Sequence, residues 1–360
     1  MNTPSSAAAQ DSLFTRLRRH QILIPLAALL LLALFNLIID PSFFSISLRP
    51  NNEGVLLLSG NLISILDYGS ELAILALGMT LVTAASGGQD ISVGALIAIS
   101  GSITLRILSG AQSDAMILPA FLITCAAAML FGAFNGSLVA FFHIQPMIAT
   151  LILFTAGRSV AAWINHNEQP FVSSERFPYF GGYLPGIPVP TPLFIALFCF
   201  LVTWLLLKFT NLGLYVQAVG INEKASRLNG LNPAWIKLSA FVLLGLCAGV
   251  AGFIKVSRTA SINYSVIANN IEMDAILAVA LGGNSLSGGK FNIGASVLGA
   301  YVIQFLTTTL FTLNVQSDSV SAYKAVVVII LVVCSAPTVR EKLAALLKKR
   351  RAPKQAGQSA

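Results

Sequence analysis

Few residues in this chain have the type and spacing to do chemistry. The three histidines, His20, His143 and His166, are scattered, fall near the ends of apolar runs and lack the spacing of a zinc site. The four cysteines, Cys125, Cys199, Cys247 and Cys334, lie singly in apolar stretches, where a thiol serves as a small buried hydrophobe. The stretch GGNSLSGGKF, Gly282 to Phe291, imitates a phosphate-binding loop. Such a loop needs Gly, four residues, then Gly-Lys-Ser/Thr, so that backbone amides cradle phosphate and the hydroxyl holds magnesium. Here Asn284 stands five residues before Gly289 and Phe291 replaces the hydroxyl, so ATP is not expected to bind. No catalytic set, cofactor or metal is expected. What remains is Asp90 in GGQDISVG, Gly87 to Gly94, a carboxylate at the join of two apolar runs.

The surroundings of that carboxylate follow from composition. Of 360 residues, 56% are hydrophobic and 10% charged, with mean hydropathy +0.79. Soluble chains carry about 25% charged residues, so an all-α, polytopic membrane protein is expected. The formal charge of +8 does not point to nucleic acid. Arg16, Arg18 and Arg19 precede the first apolar run, and Lys348, Lys349, Arg350, Arg351 and Lys354 follow the last, which are topology signals.

Candidate crossings are Ile22–Ile39, Gly69–Ser86, Ile91–Leu108, Met116–Phe142, Met147–Ile164, Pro192–Phe209, Leu238–Ile254, Met273–Leu281, Ile293–Leu313 and Ala322–Ala336. Most reach the roughly 17–25 residues that a spanning helix needs. Met273–Leu281 reaches only half way at about 1.5 Å per residue. Two basic ends place both termini in the cytoplasm and require an even number of crossings, so about ten are expected. Ile22–Ile39 reads as a retained span, being long for a signal peptide and lacking a cleavage site. The organisation is a basic tail at 1–21, a membrane domain at 22–336 and a basic tail at 337–360. The loop 211–237, with Lys224 and Arg227, falls inside, and Asn165 to Thr191, with Glu168 and Glu175, falls outside. Pro41–Leu66, interrupted by Arg49 and Glu53, suits a surface helix on the outer face.

An internal echo is present. AILAL (Ala73–Leu77) precedes GGQDISVGA, and AILAV (Ala275–Val279) precedes GGKFNIGA, the order expected of a repeat with Gly-rich helix breaks. Gly87-Gly88 should break the chain, and Asp90 should cap a helix beginning at Ile91 by accepting from the amide of Ser92 or Val93. The alternative makes Asp90 a ligand for solute or for a gate. Gly288 and Gly289 mark the corresponding second break. In the inner loop, Ile221–Leu228 can form one short helix that Pro233 keeps short. Such a helix suits docking into a protein groove, or serves as a solvated connector. Asn135, Thr150, Thr155, Gln304 and Thr307 are polar positions on apolar spans. They either line a pathway or join helices, at about 0.6 kcal/mol per bond. Glu71 and Arg158 are expected to pair with each other rather than face lipid.

GMTLVTAASGGQDISVGALIAISG resembles the signature region of the bacterial sugar ABC importer permeases, the ribose, arabinose and xylose group. GAFNGSLVAFFHIQPMIATLILFTAGR, AVGINEKASRLNGL and MDAILAVALGGNSLSGGKFNIGASVLGA fit that family in the same order, and the resemblance runs from about Leu56 to about Cys334. Within the family, IQPMIATLILFTAGR, AVGIN and DAILAV look most like the galactofuranose-type permeases. The resemblance implies a permease subunit of the bacterial inner membrane, not itself an enzyme. Its partners would be a cytoplasmic ATP-binding subunit, a second permease, identical or related, a periplasmic sugar-binding protein and the surrounding lipid. The inner loop would be the helix that couples to the ATPase, through Glu223, Lys224, Ala225, Arg227 and Gly230. The importer pattern there is Glu-Ala-Ala, three residues, Gly; here Lys224 stands where Glu is expected. Alternatives are the same mechanism with a nucleoside, autoinducer or branched-chain amino acid as cargo, or an ion-coupled transporter or channel using Glu71, Asp90, Arg158, Asp274 and Lys324.

Overall fold

A computed structural model describes residues 22–50, 56–111 and 113–335, so the tails at 1–21 and 337–360 lie outside the described residues. The described chain forms twelve α-helices: α1 Leu23–Ile39, α2 Asn61–Ser86, α3 Val93–Ala111, α4 Ile117–Ala140, α5 Pro146–Ile164, α6 Thr191–Phe209, α7 Leu212–Ile221, α8 Glu223–Leu228, α9 Pro233–Thr259, α10 Ile271–Leu281, α11 Ile293–Thr312 and α12 Ser317–Ser335. Seven of them, α2 to α6, α9 and α11, are long and apolar enough to cross a membrane. α1 has 17 residues, at the lower limit for a crossing of about 30 Å. α10, with 11 residues, extends about 16 Å, about half the length of such a crossing.

Local chemistry sets several boundaries. Proline at the first turn starts α5 and α9, where its missing N–H is not needed. Asn232 caps α9 by accepting from the Ala234 amide. Two expected boundaries are corrected. The second span begins at Asn61 rather than Gly69. The segment expected as a surface helix is instead a 3₁₀ turn, Pro41–Phe44, and an antiparallel hairpin, β1 Ser47–Pro50 with β2 Leu56–Ser59. Pro50, at the end of β1, lacks the amide that a continuing helix needs.

α9 is the central helix, lying along α4, α2 and α3. Its backbone approaches α4 closely where Gly245 faces Gly132, the small-residue contact that drives association where lipid and core are equally apolar. α11 lies on α2 and α10, and α5 on α3. α6 touches α2 but leaves Leu197, Phe198 and Leu201 exposed, as a lipid-facing helix does. The loops sort to two ends. At one, the hairpin meets the 165–190 loop, with the Leu58 amide donating to Pro188. At the other, the ends of α2, α4 and α7 meet around Ser86, Gln145 and Asn222.

Candidate functional site

The two glycine breaks, 200 residues apart in sequence, are in contact. α2 ends at Gly87, which takes φ +66°, a left-handed helix stop. A side chain on Gly87 would meet the Ser287 carbonyl at 2.9 Å, and one on Gly288 (φ +93°) would meet the Gly87 Cα at 3.2 Å. The Gly289 amide donates to the Ala84 carbonyl at 2.9 Å, and Gln89 Nε2 donates to the Leu286 carbonyl at 3.2 Å. Gly88 lies against the Pro146 ring at the start of α5. Gly220, in the last turn of α7, completes this junction. A Cβ there would overlap the Ala84 carbonyl and stand 2.5 Å from the Gly289 nitrogen. Sequence reasoning missed Gly220, because a glycine inside a helical pattern carries no local sign of what its face must touch.

Each break is braced by buried polar groups. Asp90, 1% exposed, accepts from the Ser92 amide at 2.7 Å and the Ser92 hydroxyl at 2.6 Å. The helix it caps starts at Val93, two residues later than expected, because Ser92 supplies the first helical carbonyl, to Leu96. Asn135 Nδ2 donates to the Ser92 hydroxyl at 2.9 Å, and the Thr150 hydroxyl accepts from the Ile91 amide at 3.1 Å. At the second break Asn292 caps α11 by accepting from the Ala295 amide. Asn284 Oδ1 accepts from the Asn292 amide at 2.6 Å, and its Nδ2 donates to Ser296 at 2.8 Å. Asn135 and Thr150 are both fully buried and brace the first break. Thr155 is exposed on the outside of α5 and bonds to its own helix carbonyls of Leu151 and Ile152.

The inner loop folds as two helices, not as the single Ile221–Leu228 helix expected. Asn222 interrupts it: its backbone is extended, and its side chain caps α8 by accepting from the Ala225 amide. Glu223 accepts from Lys237 Nζ at 2.6 Å and lies 3.5 Å from Arg227. The Lys237 hydrogen bond holds the Glu223 carboxyl below its ordinary value. α8 is thereby pinned to the foot of α9, with Lys224, Ala225 and Arg227 exposed and Leu228 89% exposed. Gly230 follows at φ +82°, with open space around it. A cleft of about 940 Å³ lies between α8 and the His143–Pro146 turn.

The expected Glu71–Arg158 pair does not form. Because α2 starts eight residues earlier than expected, Glu71 lies deep within it and faces α9. There it bonds to Lys255 at 2.9 Å and Arg258 at 3.0 Å, and Arg258 also reaches Asp67 at 3.1 Å. Arg158, on α5, donates instead to the backbone carbonyls of Tyr264 and Ile267 at 3.0 and 2.9 Å, in the loop between α9 and α10. Lys324 bonds both oxygens of Asp274, at 2.8 and 2.7 Å. Gln304 and Thr307 line a second cavity, of about 630 Å³, at the other end of the molecule. Among the described residues no group of His, Cys, Asp and Glu could hold a metal ion.

Comparison with known proteins agrees with this architecture. The chain is 39% identical over 305 residues to the galactofuranose transporter permease protein YtfT of Escherichia coli K12, covering 84% of this chain and 86% of that one. It is 34% identical over 334 residues to the fructose import permease protein FruF of Bifidobacterium longum, covering 91% of each. To the ribose import permease protein RbsC of Escherichia coli K12 it is 38% identical over 310 residues, covering 85% of this chain and 91% of that one. No solved structure gives a significant match. Residues 61–336 match one transport family throughout, and the chain belongs to it: the branched-chain amino acid transport system / permease component family.

Proposed function

We propose that this chain is the membrane-spanning permease subunit of an ATP-driven sugar importer in the bacterial inner membrane. The observation that carries the reading is α8, a capped and ion-paired helix outside the membrane-crossing elements. Its Leu228 and its basic Lys224 and Arg227 are exposed among the described residues. Such a surface suits the groove of a cytoplasmic ATP-binding subunit. Motion delivered to α8 passes through Asn222 to Gly220, and from there to the backbones of both breaks, so α8 and Gly230 act as the coupling element. Gly87, Gly88, Asp90, Gly288 and Gly289 form the moving joint. A second permease, identical or related, and a periplasmic binding protein complete the importer.

The finer topology belongs to the same reading. α1 to α6, α9 and α11 cross the bilayer, α12 crosses it last, and α10, continued through the Gly-rich stretch after it, makes the total ten, with both termini cytoplasmic. The paired breaks, each followed by a side-chain-capped helix, support an internal repeat. As cargo we favour a monosaccharide of the galactofuranose, galactose or ribose type, on the names of the relatives. The family description favours a second reading, a branched-chain amino acid.

The test is reconstitution with the cognate ATPase and binding protein. Arg227→Glu and Gly230→Pro are expected to insert normally and lose sugar uptake. Proline cannot take φ +82° and lacks the amide that donates to Arg227. Normal uptake by both variants would count decisively against the coupling role. Binding of labelled sugars and of leucine to the partner binding protein decides the cargo.

A further inference from the structure

The outer cavity contains more polar groups than helix packing requires. Tyr68, Lys255, Asn269, Asp274, Gln304 and Thr307 line it, contributed by α2, α9, the loop before α10, α10 and α11. Its wall runs along α2 from Asn61 to Leu72, eleven residues or about 16 Å, half the depth of a ~30 Å hydrocarbon core. Beneath Leu72 the helix is closed on every side: Ala76 and Met79 are fully buried, and Thr80 nearly so. The cavity therefore reaches to about half depth and ends on packed helix.

Charge in the cavity is compensated. Each of the three charged residues lining it is already paired: Glu71 and Lys255 with each other, and Asp274 with Lys324. An anion, a cation or a zwitterion would need an unpaired counter-charge, and the wall offers none. What it does offer is a mixture of donors and acceptors. Lys255 Nζ has N–H groups beyond the one on Glu71, Asp274 keeps lone pairs beyond those held by Lys324, and amides and hydroxyls stand beside them. Hydroxyl groups, each both donor and acceptor, match such a surface. At about 630 Å³ the cavity also falls within the roughly 300–1,000 Å³ of small-molecule sites.

We propose that this cavity is a transit binding site for a neutral polyhydroxyl solute, with Lys255, Asp274, Gln304 and Thr307 replacing the water shed on entry. The proposal rests on the permease reading above. The test uses the complete importer with the four cysteines of this chain changed to serine, carrying Gln304→Cys, Thr307→Cys or, as a control outside the cavity, Thr155→Cys. Two membrane-impermeant thiol reagents, one with a trimethylammonium head and one with a sulfonate head, are applied from the outside.

Both cavity cysteines are expected to react and Thr155→Cys to remain unlabelled. Uptake of ribose, fructose or galactose, whichever the parent importer carries, should fall at least about tenfold on labelling. The two reagents should react within roughly tenfold of each other, since a cleft of one sign enriches counter-ions by 10–10³. Failure of the cavity cysteines to react, unchanged uptake after labelling, or a larger preference for one reagent overturns the proposal. A parent importer that takes up no sugar overturns the permease reading and this site with it. A working parent with an indifferent cavity overturns the site alone.

Discussion

Gly220→Ala tests the junction most directly. The added Cβ would overlap the Ala84 carbonyl and stand 2.5 Å from the Gly289 nitrogen. Reaching ordinary contact at about 3.5 Å requires α7 to retreat by roughly 1.5 Å or more, since the Ala84 oxygen is nearer than the Gly289 nitrogen. Overpacking of this kind costs about 1–3 kcal/mol. If the retreat also breaks the Gly289–Ala84 hydrogen bond, the buried amide left behind costs about 1–3 kcal/mol more. Such a loss is tolerable within a stability of roughly 5–15 kcal/mol, so the protein should still accumulate in the membrane. The geometry linking α8 to the breaks would nevertheless be displaced. The expected result is near-normal membrane abundance, ATP hydrolysis by the assembled complex, and sugar uptake reduced at least about tenfold, since ~1.4 kcal/mol suffices for that factor. Gly213→Ala on the same helix is the control. Its Cβ meets only Leu207, at 3.5 Å, so it should be neutral or slightly stabilising. Equal uptake and equal thermal stability in the two variants would refute the junction as the link.

At Asp90, Asn should retain most uptake, since it caps nearly as well, whereas Leu should cost about 0.5–2 kcal/mol of local stability; abolished uptake with Asn at normal abundance would instead indicate a gate that depends on the charge. Glu71→Leu leaves Lys255, 30% exposed, without its carboxylate and should destabilise the detergent-solubilised protein by about 1–3 kcal/mol in thermal unfolding. Adding Arg158→Glu to Glu71→Arg should restore nothing, and a rescue would mean that the two side chains pair after all. Glu223 titrates below its ordinary 4.5 because Lys237 donates to it, so its pair contributes fully above about pH 4.5 and is lost as pH falls through the lower folded value. Protection of the α8 amides relative to their intrinsic exchange at each pH should therefore fall below that pH in the parent, by the equivalent of at most ~1 kcal/mol, and stay nearly constant with pH in Lys237→Met.

Much of the chain was legible from its sequence because the relevant signals are local. Apolar run length alone indicates membrane helices. Gly87-Gly88 before Asp90 mark a helix stop and start, and Gly288-Gly289 mark the break before α11, since left-handed backbone and side-chain caps are properties of a few adjacent residues. The shortness of α10 and the polarity of the 211–237 loop were visible for the same reason. Only the tertiary structure decided how these pieces meet. Glu71 could not be matched to Lys255, 184 residues away, without knowing which face of α2 meets α9. Nor could Thr150 be separated from Thr155 on one helix: the first braces a break and the second faces outward. In a soluble helix the apolar stripe would have revealed the inward face. In a bilayer the lipid side is as apolar as the packed side, so hydropathy carries no azimuthal information and contact alone selects the partners.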